Sequence, residues 1–267
     1  MTWRRLLPAL VLGPLLFWVA SLDAFPWYLL AVVPCAAWGS IELYHLLVGA
    51  GYRPLWGIGI LLAVGVAADA VLTQWHLLPH LLGGASLLGL LWVTFDREHG
   101  YTLTDWALTL PPALYVGLLL GYYPLLRQRP DGGFWVQLVL VTTWAADTGA
   151  YLVGRRWGRT RLAPALSPGK SLEGAAAGLV CAVLAALVAA ALAAAPGRPA
   201  ALMLGTGVLS ASAGLAGDLA ESWLKRQLGV KDSSGLLLGH GGLLDRMDSL
   251  LVTGMVAYYY YLATLGG

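Results

Sequence analysis

Long apolar blocks alternate with short polar joins along the whole chain. Nine mostly apolar runs lie near residues 6–22, 26–48, 55–73, 78–95, 105–126, 134–154, 172–195, 199–223 and 243–264. A helix crosses a bilayer with about 20 such residues. The pattern therefore predicts an all-α, polytopic membrane protein with about nine transmembrane helices. Arg4 and Arg5 precede the first run, as they would in a signal peptide. That run is read as a span, because eight further spans follow with no secreted domain between them. The Ala-rich stretch from Ala175 to Ala195 is low in complexity. Small residues let membrane helices approach closely, so packing is its expected role.

Composition sharpens this picture. Hydrophobic residues make up 58% of the 267 positions and charged residues 11%, against about 25% charged in soluble domains. The net charge of +2 comes with no basic tract, so nucleic acid is not an expected partner. Cys35 and Cys181 stand alone inside apolar runs. They form neither a metal-ligand pair nor a disulfide framework, and are read as small buried hydrophobes. The basic residues sort by side when the N-terminus is taken as inside. Arg4, Arg5, Arg53, Arg97, Arg155, Arg156, Arg159, Arg161, Lys170, Lys225, Arg226, Lys231 and Arg246 then lie inside, and only Arg127, Arg129 and Arg198 outside. The positive-inside rule thus makes the N-terminus cytoplasmic. Residues 1–130 read as a scaffold of transmembrane helices with dimer or lipid contacts, and 131–267 as a transmembrane catalytic region that holds nearly all the polar chemistry.

Charged groups at membrane depth are costly and tend to be paired or to face a cavity. Four clusters qualify. Asp147, Tyr151 and Gly154 share one helix face at i, i+4 and i+7; an ion pair of Asp147 with an arginine at 155–161 is the structural alternative. Ser167-Pro168-Gly169-Lys170-Ser171-Leu172-Glu173-Gly174 opens the seventh run. It is no P-loop: Pro164 stands where the first glycine belongs, and no strand is expected before it. What remains is a helix start whose free N–H groups, with Lys170 and two hydroxyls, suit a phosphate, or simply a cap with Ser171 as N-cap. Asp218, Glu221, Ser222 and Lys225 form a polar stripe at i, i+3, i+4 and i+7, explicable also by internal ion pairs. Last come Lys231-Asp232 and Gly239-His240-Gly241-Gly242-Leu243-Leu244-Asp245-Arg246-Met247-Asp248. The glycines leave backbone open to a ligand. Asp245 and Asp248, at i, i+3 on a helix start, resemble ligands for a hard cation. Mg²⁺ takes one or two carboxylates plus substrate phosphates.

Carboxylates, basic groups and Gly-rich backbone gather on one expected membrane face, with no Cys nucleophile and no Ser-His-Asp arrangement. Phosphoryl or nucleotidyl transfer needs this inventory, since it runs on positioning and charge neutralisation. An acceptor that is itself a phosphate is already ionised and needs no strong base. Metal ions are the usual means of holding two polyanions together.

The string Ser222-Trp-Leu-Lys225-Arg226, four residues, Lys231-Asp232, then His240-Gly241-Gly242, two residues, Asp245-Arg246-Met247-Asp248 closely resembles the signature of the CDP-diacylglycerol synthases, also called phosphatidate cytidylyltransferases. The strings at 147–151 and 167–174 resemble that family too, and Glu42-Leu43-Tyr44 is similar to a Glu-Tyr pair in relatives. Leu238 stands where the family usually has Pro before the Gly-His-Gly-Gly turn. The resemblance implies transfer of CMP from CTP to phosphatidate, giving CDP-diacylglycerol and pyrophosphate for phospholipid biosynthesis. It also implies dependence on Mg²⁺, a homodimer, and a site near the cytoplasmic surface of a bacterial-type cell membrane. A second, monovalent cation such as K⁺ is left open.

Combining both lines, Asp218, Asp245 and Asp248 are expected to hold metal, and Lys225 and Arg246 to act beside them. Arg226 and Lys231, next to Asp232, are expected at the triphosphate or lipid phosphate. Gly239, His240, Gly241 and Gly242 are expected to cradle CTP. Ser167, Lys170 and Ser171 are expected on a phosphate, and Asp147, Glu173, Glu221 and Ser222 are expected to orient these groups or bind cytidine. Two rivals stay open at this point. One is a CTP-dependent polyprenol or lipid-alcohol kinase. The other is an ion-coupled transporter, against which the one-sided polar groups and the lack of an inverted repeat argue.

Overall fold

Apolar runs interrupted by Pro, Gly and Asp become helices separated by tight joins. The computed structural model describes residues 17–22, 25–72, 76–192, 199–233 and 242–266. The chain forms two compact units, one of residues 1–125 with 227–245, the other of 126–226 with 246–267. The segment 227–245 thus belongs with the N-terminal helices, although they are distant in sequence.

The first unit contains α1 (Phe25–Gly49), α2 (Trp56–Leu72), α3 (Leu78–Phe95), α4 (Leu103–Ala107) and α5 (Leu110–Ala113). A π-helical turn (Leu114–Leu118) then leads into α6 (Leu119–Arg127). Helix α4 starts at a capping box: Thr102 accepts from the Asp105 N–H and Asp105 from the Thr102 N–H. The core gathers Leu62, Ala63, Val66 and Ala113, with Leu78, Leu81 and Leu110 against them. Gly117 lets the π-helical turn press on the backbone of Ala63, where a Cβ would collide.

The second unit contains α7 (Gly132–Trp157), an antiparallel pair β1 (Arg161–Ala163) and β2 (Ser167–Ser171), then α8 (Leu172–Leu192), α9 (Ala200–Gln227) and α10 (Leu244–Leu265), whose first two residues count with the first unit. Its buried centre is Ala146, Ala182 and Ala211. The helices touch through small residues. A Cβ on Gly178 would lie 2.8 Å from the Ala146 carbonyl, and one on Gly174 2.8 Å from that of Ala150. The Ala-rich run therefore packs, as its composition implies. Two buried hydroxyls of α7 are satisfied within the helix: Thr142 donates to Leu138 and Thr143 to Val139.

The outcome is almost wholly helical, with one correction. No strand was expected around 161–171, yet a short ladder pairs Arg161 with Ser171 and Ala163 with Ser167. Pro164 and Pro168 prevent a helix here, and Pro168 has no N–H for the ladder, whose register shifts within it. Six described helices are long and apolar enough to cross a membrane: Tyr28–Gly49, Leu78–Phe95, Leu103–Arg127, Gly132–Trp157, Leu172–Leu192 and Ala200–Gln227. The expected nine are not all of this kind. Helix α2 has 17 residues and α10 opens on Asp245, Arg246 and Asp248. Of the first apolar run, residues 6–16 lie outside the described residues. Leu87, Leu88, Trp92 and Phe95 on α3, and Val180, Leu184, Val188 and Leu192 on α8, are exposed. Side chains of this kind in such number face lipid in an integral membrane protein.

Candidate active site

In the second unit, β2, α7, α9 and α10 deliver a cluster of charge. Helix α9 runs unbroken through the polar stripe, so its members meet along one face. Ser222 Oγ donates to Asp218 Oδ1 at 3.4 Å, and Lys225 Nζ lies 3.2 Å from Glu221 Oε1. Glu221 is 1% exposed, and the Lys225 side chain 12%. From the hairpin, Lys170 Nζ reaches Asp218 Oδ2 at 2.6 Å. The charge of Asp147, on α7, acts on Asp218 and Lys170, and its Oδ1 accepts from Ser249 Oγ at 3.4 Å. Asp248, on α10, interacts with Asp218, Glu221 and Asp147, and its Oδ1 accepts from the Ser249 N–H at 2.6 Å.

Four carboxyl groups and two ammonium groups thus act on one another, with Asp248 and Glu221 joined by a side-chain hydrogen bond. Among the described residues, no three His, Cys, Asp or Glu side chains form a ready-made cation cage. The alternative for Asp147, a pair with nearby arginine, is not what forms. Arg155 donates to the Tyr151 hydroxyl at 3.0 Å, and Arg156 lies over the Trp157 ring.

The remaining residues of this unit have identifiable partners. Ser171 Oγ accepts from the Gly174 N–H at 3.1 Å, so it caps α8. Glu173 accepts from the N–H groups of Arg159 and Thr160 at 3.1 and 3.0 Å, tying the helix start to the chain before β1. Ser167 opens β2 and is half-buried. Arg226 Nε donates to the Leu166 carbonyl at 3.4 Å. Arg246 is exposed on the first turn of α10.

The first unit holds the other predicted residues. Lys231 and Asp232 are exposed. Asp245 accepts from the N–H groups of Ser233 at 3.1 Å and Gly242 at 2.8 Å. Gly239, His240 and Gly241 lie outside the described residues. Glu42 is fully buried. Its Oε1 accepts from Trp38 Nε1 and the Leu243 N–H, both at 3.0 Å, and its Oε2 from the Leu244 N–H at 2.9 Å and Ser233 Oγ at 3.3 Å. A Cβ on Gly242 would run into Glu42 Oε2 and Ser233 Oγ. Sequence reasoning noted Glu42 only as part of a resemblance, and missed Ser233 and Ser249 altogether. A lone serine carries no signal of its own.

Comparison with known proteins agrees over nearly the whole chain. Residues 3–264 match the profile of the cytidylyltransferase family. The chain is 39% identical over 264 residues to a phosphatidate cytidylyltransferase of Pseudomonas aeruginosa, covering 92% of each. Proteins of the same name from Bacillus subtilis and Staphylococcus haemolyticus are 37% and 38% identical over 173 and 162 residues. Those matches span 60% and 61% of the relatives' own lengths.

Proposed function

The chain belongs to the cytidylyltransferase family, and on that premise we propose that it is a phosphatidate cytidylyltransferase, making CDP-diacylglycerol and pyrophosphate from CTP and phosphatidate. One observation supports this chemistry above the others. Asp147, Asp218, Glu221 and Asp248 gather with Lys170 and Lys225 on elements adjacent to one another. A site that gathers carboxyl and ammonium groups in this way is suited to polyanions that arrive with a cation.

A phosphate oxygen of phosphatidate attacks the α-phosphorus of CTP in line. The bond from that phosphorus to the bridging oxygen breaks, and pyrophosphate leaves with the bond's electrons. The attacking oxygen is already ionised, so no protein base has to remove a proton. Asp218 and Asp248 would hold Mg²⁺, which when bound neutralises charge on the triphosphate. Lys170, held at Asp218 in the free protein, is poised to turn to a substrate phosphate. Lys225, Arg226, Lys231 and Arg246 supply further positive charge to the two phosphate compounds. For Asp245 we propose the cation-holding role expected from the sequence, with its two backbone hydrogen bonds fixing the direction of the carboxylate. The N-terminus and the site face the cytoplasm, and the working form is a homodimer.

Purified protein in detergent should release pyrophosphate from CTP only when both phosphatidate and Mg²⁺ are present. Excess chelator should stop the reaction, and added Mg²⁺ should restore it. Phosphorylation of a lipid alcohol with release of CDP would instead make the chain a kinase, a reading the relatives' names do not favour.

A further inference from the structure

Glu42 lies inside an apolar helix, toward its C-terminal end, and is fully buried. An ionised carboxylate there is costly unless donors surround it. Four do, and two of them are the N–H groups of Leu243 and Leu244, where α10 begins. The first N–H groups of a helix have no partner within it. A side chain just before the helix usually accepts from them, but Gly242 and Leu243 offer no acceptor. Glu42, some 200 residues earlier, takes that place, and its charge suits the positive end of the helix. Asp245 accepts from the N–H of Gly242. Three successive N–H groups, at 242, 243 and 244, therefore end on two carboxylates. The space beside Gly242 is filled by Glu42 and Ser233. This glycine is needed because the carboxylate comes so close.

Helix α1 is itself held from the other direction. Tyr44, two residues on, sits roughly on the opposite face. Its hydroxyl donates to the Thr109 carbonyl at 2.5 Å, and its ring fills the space beside Gly59. Glu42 thus projects from a helix anchored on two sides.

We propose that Glu42 is a positioning residue for the transfer reaction: it holds the turn from Gly242 to Asp245 in one conformation and so aims the Asp245 carboxylate. This rests on the function proposed above. Without the clamp, the turn samples other conformations, and cation and nucleotide bind to only a fraction of the molecules.

Glu42→Gln keeps the shape but loses the charge and one acceptor oxygen. Amide hydrogen exchange at Leu243 and Leu244 should then speed up by roughly tenfold or more, while α8 exchanges as before. The Mg²⁺ and CTP concentrations for half-maximal rate should rise by about tenfold, more than kcat falls. A role in general stability alone would lower the yield of folded protein and leave both concentrations unchanged. Gly242→Ala, which displaces the carboxylate with Glu42 intact, should reproduce the kinetic change, and the two substitutions together should add little. If Glu42→Gln does not fold, Glu42→Asp and Gly242→Ala carry the test. Wild-type exchange and wild-type Mg²⁺ and CTP dependence in the folded variants would overturn the proposal. A wild-type protein that releases no pyrophosphate would overturn the function itself, while the exchange experiment would still decide whether the clamp exists.

Discussion

Glu42 and Asp218 are acidic side chains on long apolar helices, one in each unit. Glu42 is sealed from solvent, and its four donors are fixed by helix or turn backbone and by two neighbouring side chains. Asp218 is partly open, has Lys170 and Ser222 as partners, and feels the charges of Asp147 and Asp248. The first carboxylate is satisfied and organises backbone. The second belongs to a group of carboxyls that act on one another across three helices. Burial alone does not separate a structural acid from a reactive one; the ledger of donors and like charges does.

The largest effect should come from breaking the second group. Asp248→Asn should lower CDP-diacylglycerol formation by about 10³-fold, since a charge that serves the reacting phosphates is lost. Because it also removes repulsion with Asp147 and Asp218, the variant should unfold at the same temperature as wild type or higher. Near-normal turnover, or a collapse of stability, would make Asp248 resemble Glu42 and erase the distinction. Next in size is Lys170→Ala, expected to cost roughly 10²-fold in kcat/KM. Its nitrogen is buried beside Asp218, and its loss leaves that carboxylate facing Asp147 and Asp248, so stability should also fall by about 1–3 kcal/mol. A variant that is destabilised but kinetically intact would reassign this lysine to holding the hairpin on α9.

Much of this was legible in the sequence wherever the signal is local. Apolar runs mark the helices, and the spacing of Asp218, Glu221, Ser222 and Lys225 puts them on one face because a helix repeats every 3.6 residues. Three things escaped. The β1–β2 pair is too short to show alternation, and only its prolines hint at it. The approach of Asp147, Lys170 and Asp248 to Asp218 depends on how helices pack, which periodicity does not encode. The bond from Glu42 to the start of α10 joins residues that no local pattern connects.

Packing can be tested separately from charge. Gly178 touches α7 so closely that a side chain has no room, the Ala146 carbonyl being 2.8 Å from the Cβ position. Gly178→Val should destabilise by about 1–3 kcal/mol, read as a lower midpoint in detergent. Activity should fall with it, because Asp147 is carried on the helix that would be displaced. A fully stable variant would mean that the small-residue seam is looser than its contacts indicate.

The smallest effect concerns the two ways a helix start is satisfied. Helix α10 is capped by a carboxylate from far along the chain, while α8 is capped by its own neighbour, Ser171. The local cap is one neutral hydroxyl accepting from one N–H, so Ser171→Ala should cost about 1 kcal/mol. In a chain of this size that is a shift of about 2–4 °C. Ser171→Asp should recover the stability, since a short carboxylate caps as well as a hydroxyl and suits the helix dipole. It should also add a negative charge near Lys170 and raise the KM for CTP. If Ser171→Ala leaves the midpoint unchanged and raises KM by itself, the hydroxyl serves a substrate phosphate instead of the helix. The contrast between near and distant caps would then lose its local member, and the Ser167–Ser171 strand would become a binding element along its length.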